Sequence, residues 1–444
     1  MNNLIVWIFG SEHEVNPFIK LGIEALTRQG SSVILVDLKN KRFPRKTLFS
    51  SSGKQDQLID EDLVKPDASI IRGEKVQNPV GRVTYTTRVR KFLKSIKAVR
   101  DFGDGVILPF VYKVGGGIFD FSVFISYKSA QTRLVITSLF VLLKHRPVIV
   151  ISSNPYFLMV AALYRVFHRC RLVYYPFELT GEQVKKPMFL ELEIEKWLIR
   201  SKIDNLITQN ECRAEVYKKE RRVRIKPVIV HNYKTIKPGQ PVLSRNEVFQ
   251  KFGYLPGQHL IVYEGYLVPG RNLENLVLAL KFLEKNTRML FIGMGNKIWW
   301  AETMEPIINL EEIRSRFTRL PFTTGDELHA IISAADMGVI LYDNTCRNNY
   351  FCEPGKLSDY LQAGVPVIVP DFPTIRPTVE GHKIGVCIEE NSSEAIAKAA
   401  VSILSKPRGE WAHNISIARD SLTWETQEPN FIGAVIGLQK YSHP

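Results

Sequence analysis

Short apolar runs alternate with helix-length amphipathic segments along most of this 444-residue chain. In the first half, residues 4–9, 32–37 and 148–152 are almost entirely apolar, as expected for strands that are buried on both faces. Amphipathic stretches near residues 18–29 and 158–167 follow the first and the third of these runs. Because strands separated by helices of this length form βαβ units, the pattern predicts an α/β fold built on parallel sheets.

The alternation stops at residues 234–245, a polar stretch with two prolines and a glycine, and then starts again. One hydrophobic core stops growing at about 250–300 residues, so a chain of this length should form two domains. We therefore predict two doubly wound, Rossmann-like domains, 1–235 and 236–444, with the last helix able to pack back on the N-terminal domain. Such sheets bind ligands at the carboxyl ends of their strands, here in the cleft between the domains. The nearest approach to a dinucleotide-binding GxGxxG fingerprint is at residues 293–295 and lacks the third glycine, which disfavours a dehydrogenase.

The positive charge belongs to one half of the chain. Residues 1–235 carry 39 Lys and Arg against 22 Asp and Glu, whereas residues 236–444 carry 20 against 23. Residues 82–100 hold seven cations and no acid, with apolar residues at helical spacing. This pattern predicts a basic amphipathic helix for an anionic membrane surface, or else a helix packed on its own domain with a solvated face. We expect no nucleic acid as partner, because no recognisable binding module accompanies the charge.

Residues 134–143 form a run of only ten largely apolar residues, and a membrane span needs about 20. The N-terminus has no basic region of the kind that begins a signal peptide. The five cysteines are an odd number and include no CxxC pair, which fits a reducing compartment better than a zinc site. We therefore expect a cytoplasmic protein, peripheral on the inner face of the membrane if the basic helix docks there.

Two segments of the second half carry a family resemblance: YEGYLVPGRNLENLVLAL at residues 263–280 and NNYFCEPGKLSDYLQAGVPVIVP at residues 348–370. Together they closely resemble glycosyltransferase family 4. Weaker similarity extends to residues 172–183 and 194–211. The resemblance implies the GT-B architecture, in which two Rossmann-like domains face a cleft, and a retaining transfer of sugar from a nucleotide diphosphate donor.

A departing nucleoside diphosphate needs fixed positive charge and N–H donors around its phosphates. By resemblance, Arg271 stands where the family often has a lysine, and Lys356 adds a second cation. The peptide groups of Gly355 and Leu357 flank Lys356 at the start of a predicted helix, a place that favours anions. The sequence thus predicts that the donor phosphates bind Arg271, Lys356, Gly355 and Leu357. The alternative is that these cations lie on an ordinary solvated surface.

Asp359 falls where the family usually places the second Glu of its Glu, seven residues, Glu motif, whose carboxylate binds ribose hydroxyls. Phe351 occupies the position of the first Glu, and Glu353 is the candidate to replace it from a shifted position. The resemblance therefore implies a donor ribose and sugar site at Asp359 and Glu353. As alternatives, Asp359 would lie on an exposed helix and Glu353 in a solvated loop. Tyr266 stands where many relatives carry an arginine, which leaves Lys356 more of the phosphate charge to balance.

The acceptor is expected to meet loops of the first half that follow its strands. Gly10, Ser11 and His13 follow the first strand, Asn154 lies where some relatives have a histidine, and Glu178 comes after a later strand. A solvated loop histidine and capping roles are the alternatives for these positions. No general base can be named, and a retaining front-face transfer would use the leaving phosphate as base.

The expected reaction needs no cofactor, because the nucleotide sugar is a substrate, and we expect no metal, since protein cations take its place. The one DxD-like string, at residues 60–62, is interpreted as a run of solvent-exposed acidic residues rather than a metal site. We expect the acceptor to be a glycan or lipid-linked glycan, as in surface polysaccharide biosynthesis. Two alternatives stay open: a nucleotide-sugar epimerase with the same fold, and a catalytically silent GT-B protein that only binds a partner.

Overall fold

The structure is a computed structural model that describes residues 4–8, 17–39, 43–49, 100–102, 105–114, 117–126, 130–181, 189–235 and 243–437. The strands of this part of the chain are β1 (Leu4–Ile8), β2 (Ser32–Lys39), β3 (Phe43–Phe49), β4 (Arg100–Phe102), β5 (Gly105–Val114), β6 (Gly117–Ser126), β7 (Ile149–Ser152), β8 (Arg171–Tyr174), β9 (Asn205–Thr208), β10 (Val228–Ile229), β11 (His259–Glu264), β12 (Thr287–Ile292), β13 (Phe317–Leu320), β14 (Met337–Val339), β15 (Val367–Pro370) and β16 (Gly385–Ile388).

Helices connect most of these strands. The α-helices are Pro17–Arg28, Ala130–His145, Pro155–Phe167, Phe189–Ser201, Glu211–Glu215, Arg245–Phe252, Leu273–Leu278, Lys297–Trp299, Glu305–Ile308, Glu311–Arg314, Gly325–Ser333, Arg347–Tyr350, Lys356–Gln362, Arg376–Gly381, Ser393–Leu404, Arg408–Ser421 and Trp424–Ile436. Ala279–Phe282 is a 3₁₀ turn, and Val216–Glu220 and Trp300–Met304 are π-helical turns.

Each half is organised by one sheet. The first has seven strands in the order β10-β9-β8-β7-β1-β2-β3, all parallel except β3, which runs antiparallel to β2. The second has six parallel strands in the order β13-β12-β11-β14-β15-β16. The predicted α/β fold with a doubly wound sheet in each half is confirmed. A third sheet, β4-β5-β6, is antiparallel and was not expected.

The apolar strands lie between layers of helices, and this packing explains their sequences. Ile5, Val6, Trp7 and Ile8 of β1 have no exposed surface, so both faces of the central strand are covered. One face of the first sheet forms a core with the helix Pro155–Phe167, and the other forms a separate core. The second sheet has a single continuous core that includes strand and helix residues from β11 to the helix Arg408–Ser421. Burial of this apolar surface is the main favourable contribution to folding.

The helix Trp424–Ile436 returns from the second half to the first. Its Phe431 ring stacks on Trp7 of β1 at a centroid distance of 5.8 Å, and Trp424 and Val435 belong to the same core. Asn205 of β9 donates a hydrogen bond to the carbonyl oxygen of Ala434. The boundary between residues 235 and 236 stays a prediction, because residues 236–242 lie outside the described part.

A buried carboxylate fixes the loop that follows β8. Glu195, with no exposed surface, accepts hydrogen bonds from the hydroxyls of Tyr174 at 2.5 Å, Thr180 at 2.9 Å and Tyr217 at 3.1 Å. It also pairs with the Arg221 guanidinium, which donates to the Thr180 carbonyl oxygen. A buried ion pair is tolerated when further hydrogen bonds satisfy both charges, as they do here. The loop that approaches the second half is therefore held in one position.

No helix in the described ranges is long and apolar enough to cross a membrane. The basic helix predicted at residues 82–100 lies outside these ranges except for Arg100, which begins β4. The acidic string at residues 60–62 also lies outside them.

Candidate active site

Two glycines bring loop backbones together at the carboxyl edge of the second sheet. Gly265 follows β11 with a φ of +122°, and Gly293 follows β12 with a φ of +157°. A Cβ on Gly293 would lie 1.8 Å from the carbonyl oxygen of Gly265, and one on Gly265 would lie 3.0 Å from the Lys356 ammonium nitrogen. The positive φ favours glycine at position 265, and a side chain at position 293 would displace the backbone of the neighbouring loop.

Lys356, at the start of the helix Lys356–Gln362, points its ammonium group at this edge. The Nζ atom donates a 2.7 Å hydrogen bond to the carbonyl oxygen of Glu264 and lies 4.1 Å from the centroid of the Tyr263 ring. Burial lowers the pKa of Lys356, and the Arg271 charge lowers it further. A cation held in a low-dielectric environment attracts an anion more strongly than one in water.

Arg271 also lies against the Tyr342 ring. Its guanidinium carbon is 4.0 Å from the Tyr342 ring centroid, and the Lys356 ammonium is 6.0 Å from the same centroid. The Nη1 atom of Arg271 is buried and has no hydrogen-bond partner among the described residues. The structure thus brings the two cations of the predicted phosphate site together, one of them with an unused donor.

Asp359, one turn along the same helix, is bound by a lysine from the other half. Lys234 places its Nζ atom 2.7 Å from Oδ1 and 2.5 Å from Oδ2 of Asp359. The carboxyl group of Glu264, the last residue of β11, lies beside this pair. Burial and the charge of Asp359 raise the pKa of Glu264. Lys234 and Glu264 were not singled out from the sequence, because their roles depend on contacts between distant segments.

Glu353 is not a solvated loop acid, since its side chain is only 8% exposed. Oε1 lies 2.7 Å from Nδ1 of His231, and Oε2 accepts a 2.8 Å hydrogen bond from the Asn232 amide. Burial opposes a charge on His231, but the hydrogen bond and charge of Glu353 outweigh it, so the pKa of His231 is raised. These contacts fix the loop that leads to the helix Lys356–Gln362, which we call the donor helix.

The start of the helix Lys356–Gln362 offers less to an anion than the sequence suggests. The Leu357 amide already donates to the Pro354 carbonyl oxygen at 3.1 Å, and the helix has only seven residues. Gly355 faces the first half, where the Phe18 ring lies 3.5 Å from the position of a Cβ on that glycine. The side chains of Lys356 and Arg271 therefore supply most of the positive charge at this place.

Arg213 joins the two halves beside the site. It is 5% exposed and donates to the carbonyl oxygens of Phe177 at 2.6 Å and Phe351 at 3.0 Å. The side-chain oxygens of Gln209 and Asn348 accept two further bonds at 2.8 and 3.1 Å. Burial lowers the pKa of this arginine. Because two of these acceptors belong to each half, this one cation holds the two halves in register.

Phe351 stands where the resembling family has its first motif Glu. In this chain its side chain packs against the core of the first half. Its carbonyl oxygen also accepts a 3.1 Å hydrogen bond from the Asn210 side chain. The missing acid is therefore replaced by an apolar contact between the halves.

The acceptor-side candidates are only partly described. Gly10, Ser11 and His13 lie outside the described residues. Asn154 lies at the carboxyl end of β7, where its side-chain oxygen accepts from the Phe157 amide at 3.1 Å and caps the following helix. Glu178 is exposed in the loop after β8, close enough for its charge to favour protonated Arg213.

Comparisons with known proteins agree with this arrangement. Residues 244–419 match the family model described as glycosyl transferases group 1. The chain has the same fold as sucrose-phosphate synthase from Thermosynechococcus elongatus, with a TM-score of 0.64 at 14% identity over 96% of this chain and 97% of the other. No curated protein matches the sequence.

Two further structures are complexes. HepE from Anabaena with UDP-glucose has a TM-score of 0.62 at 13% identity, over 98% of this chain and 100% of its own. TarM from S. aureus, in complex with fondaparinux, alpha-GlcNAc-glycerol and UDP, has a TM-score of 0.57 at 12% identity, over 97% of this chain and 99% of its own.

These matches define the class of protein. The two α/β halves have the GT-B fold. The second half carries a glycosyl transferase group 1 domain, and the protein is a glycosyltransferase.

Proposed function

We propose that the protein binds the diphosphate of a nucleotide sugar between Arg271 and Lys356 and transfers the sugar to an acceptor in the cleft. The observation that carries this proposal is the convergence of both cations on Tyr342, with one guanidinium nitrogen lacking a partner. A diphosphate would supply the missing acceptor and balance both charges. Structures of the same fold are named as complexes with UDP-glucose and UDP, which supports a donor of this chemistry.

Asp359 is the proposed ribose contact. Lys234 binds one side of its carboxylate, and each oxygen keeps a second lone pair for a hydroxyl group. Glu353, two residues before Gly355, is proposed to shape the sugar end of the site through the loop that His231 and Asn232 fix.

We assign the protein to the retaining, metal-independent enzymes of glycosyltransferase family 4. The bond between the anomeric carbon and the diphosphate breaks as the acceptor hydroxyl approaches the same face. The departing phosphate takes the hydroxyl proton, and the acceptor oxygen bonds to the anomeric carbon. Lys356 and Arg271 stabilise the negative charge that develops on the leaving group, so no cofactor or metal is required.

The acceptor is proposed to be a glycan or lipid-linked glycan of polysaccharide biosynthesis, bound near Gly10, Ser11, His13, Asn154 and Glu178. The excess of cations in residues 1–235 supports attachment of this half to an anionic membrane on the cytoplasmic side, through residues 82–100.

A thermal-shift screen of nucleotide sugars tests the proposal, because a ligand that binds only the folded protein raises the melting temperature. The donor that stabilises the protein is then incubated with and without glycan acceptors. Nucleoside diphosphate released only with acceptor is the expected result. Release without acceptor would show an epimerase or hydrolase, and binding without release a silent protein.

A further inference from the structure

Glu264 presents a buried carboxyl group with one oxygen that has no donor among the described residues. It is the last residue of β11, at the edge of the sheet where ligands bind, and is only 9% exposed. Its Oε1 atom has no hydrogen-bond partner among the described residues. Ionisation of this carboxyl group is unfavourable, because burial removes most of its hydration and Oε1 gains no donor from the described residues.

Two acids and two cations meet at this position. Asp359 and Lys356 face Glu264 from the donor helix, Lys234 approaches from the connection between the halves, and Tyr360 accepts from the Glu264 amide. Burial, followed by the Asp359 charge, raises the pKa of Glu264 to about 8, and the two lysines only partly oppose this. Both effects favour the neutral form of the carboxyl group, which has a proton to donate.

The acceptor for that proton is Asp359. Asp359 lies close enough to Glu264 for a hydrogen bond between the two carboxyl groups, and Lys234 binds both oxygens of Asp359. A proton on Glu264 therefore gives Asp359 a second donor beside Lys234. Without the proton, two carboxylates would repel each other beside the place proposed for an anionic ligand.

We propose that Glu264 is a further donor-site residue, which in its protonated form donates a hydrogen bond to Asp359 and so positions the carboxylate that contacts the ribose of a nucleoside diphosphate. Glu264 is a positioning residue, because it acts through Asp359. The inference rests on the proposed function of the site and adds to it a requirement for one proton.

Three variants separate this role from simple packing. Glu264→Gln keeps a donor for Asp359 and cannot ionise, Glu264→Leu keeps the volume without a donor, and Glu284→Gln changes an exposed acid elsewhere as a control. Affinities for uridine, adenosine and guanosine diphosphates are measured by calorimetry from about pH 7 to about pH 9. The terminal phosphate loses its last proton near pH ~6, so the ligand charge is constant over this range.

As the pH rises to about 9, the wild type and Glu284→Gln should lose roughly tenfold more affinity than Glu264→Gln. The ratio between the two profiles is decisive, because Glu264→Gln removes the titrating group that the proposal invokes while the charge of the ligand stays the same. At about pH 7 Glu264→Gln should bind within about threefold of wild type, and Glu264→Leu about tenfold more weakly.

Parallel profiles for wild type and Glu264→Gln would overturn the proposal, as would a Glu264→Gln variant as weak as Glu264→Leu at about pH 7. If Glu264→Leu does not fold, the profile of Glu264→Gln decides alone. Absence of binding by the wild type at every pH would instead remove the donor site itself, and the role of Glu264 with it.

Discussion

Lys234 of the connecting segment and Asp359 of the donor helix form an ion pair with both carboxylate oxygens within 2.7 Å of the ammonium nitrogen. A second contact runs beside it, from the Gln362 side chain to the carbonyl oxygen of Thr235. The segment that joins the halves is thus part of the donor site, and a change in their relative position would move the carboxylate proposed to bind ribose.

Replacing Lys356 by Ala should lower turnover by roughly 100-fold, because one of two cations that stabilise the leaving group is lost. Steady-state release of nucleoside diphosphate measures the effect. Lys281→Ala, which removes a partly exposed lysine near Glu312, is the matched control. Normal turnover in a folded Lys356→Ala protein would remove this residue from the phosphate site.

Replacing Asp359 by Asn should weaken nucleoside diphosphate binding by about 1–3 kcal/mol, the usual range for a hydrogen bond to a charged group. Calorimetry of Lys234→Met, Asp359→Asn and the double variant gives the coupling between the two residues. We expect less than additive losses, since Lys234 acts by holding Asp359. Fully additive losses would mean that the pair does not work as a unit.

Arg213→Ala should lower the free energy of unfolding by roughly 3 kcal/mol, because it leaves buried carbonyl and amide acceptors of both halves without a donor. Urea unfolding is the measurement. Arg347→Ala provides the comparison, since this arginine pairs with Glu220 at the surface and should contribute only about 0–1 kcal/mol. A loss for Arg213→Ala of no more than about 1 kcal/mol, the value of a surface ion pair, would show that Arg213 does not hold the halves together.

The His231–Glu353 pair should stabilise the protein at low pH. The pKa of His231 is raised above its ordinary value of 6.5, so the contribution is complete below about pH 6.5 and is lost as the pH rises through the folded-state pKa. The melting temperature of wild type minus that of His231→Gln should therefore fall with rising pH. His413→Gln, at an exposed helical position, should show no such trend. A pH-independent difference for His231→Gln would contradict the expectation.

The protein should sediment with anionic liposomes and be released by salt, because exposed charges are screened within about 10 Å at 0.1 M. Replacing Arg90, Lys91, Lys94 and Lys97 by Gln should abolish retention and leave nucleotide binding intact. Retention of this variant at the wild-type level would favour a soluble acceptor.

Much of the fold could be predicted because each half repeats a local pattern. The apolar runs at residues 4–9 and 148–152 contain β1 and β7, and the helix predicted near residues 158–167 is Pro155–Phe167. The antiparallel pairing of β2 with β3 and of β5 with β6 was not foreseen. Both pairs join strands that are adjacent in the sequence, and they were missed because β3, β5 and β6 were not recognised as strands.

The site was predictable only where the sequence resembles a family. Arg271, Lys356 and Asp359 were identified from matching segments, and the structure brings them to one edge of the sheet. Arg213 and Glu264 gave no signal, since an isolated arginine or glutamate is usually exposed. Their burial follows from the packing of segments more than 90 residues apart along the chain, such as Glu264 against Lys356.

The return of the helix Trp424–Ile436 to the first half also affects how the protein is made. Domains usually fold in the order in which the ribosome releases them, the N-terminal one first. Here Trp7 receives its stacking partner Phe431 only after almost the whole chain has been synthesised. Until then the face of the first sheet that carries Trp7 is covered only in part, by the helix Pro17–Arg28, so the first half completes its core only when the last helix arrives.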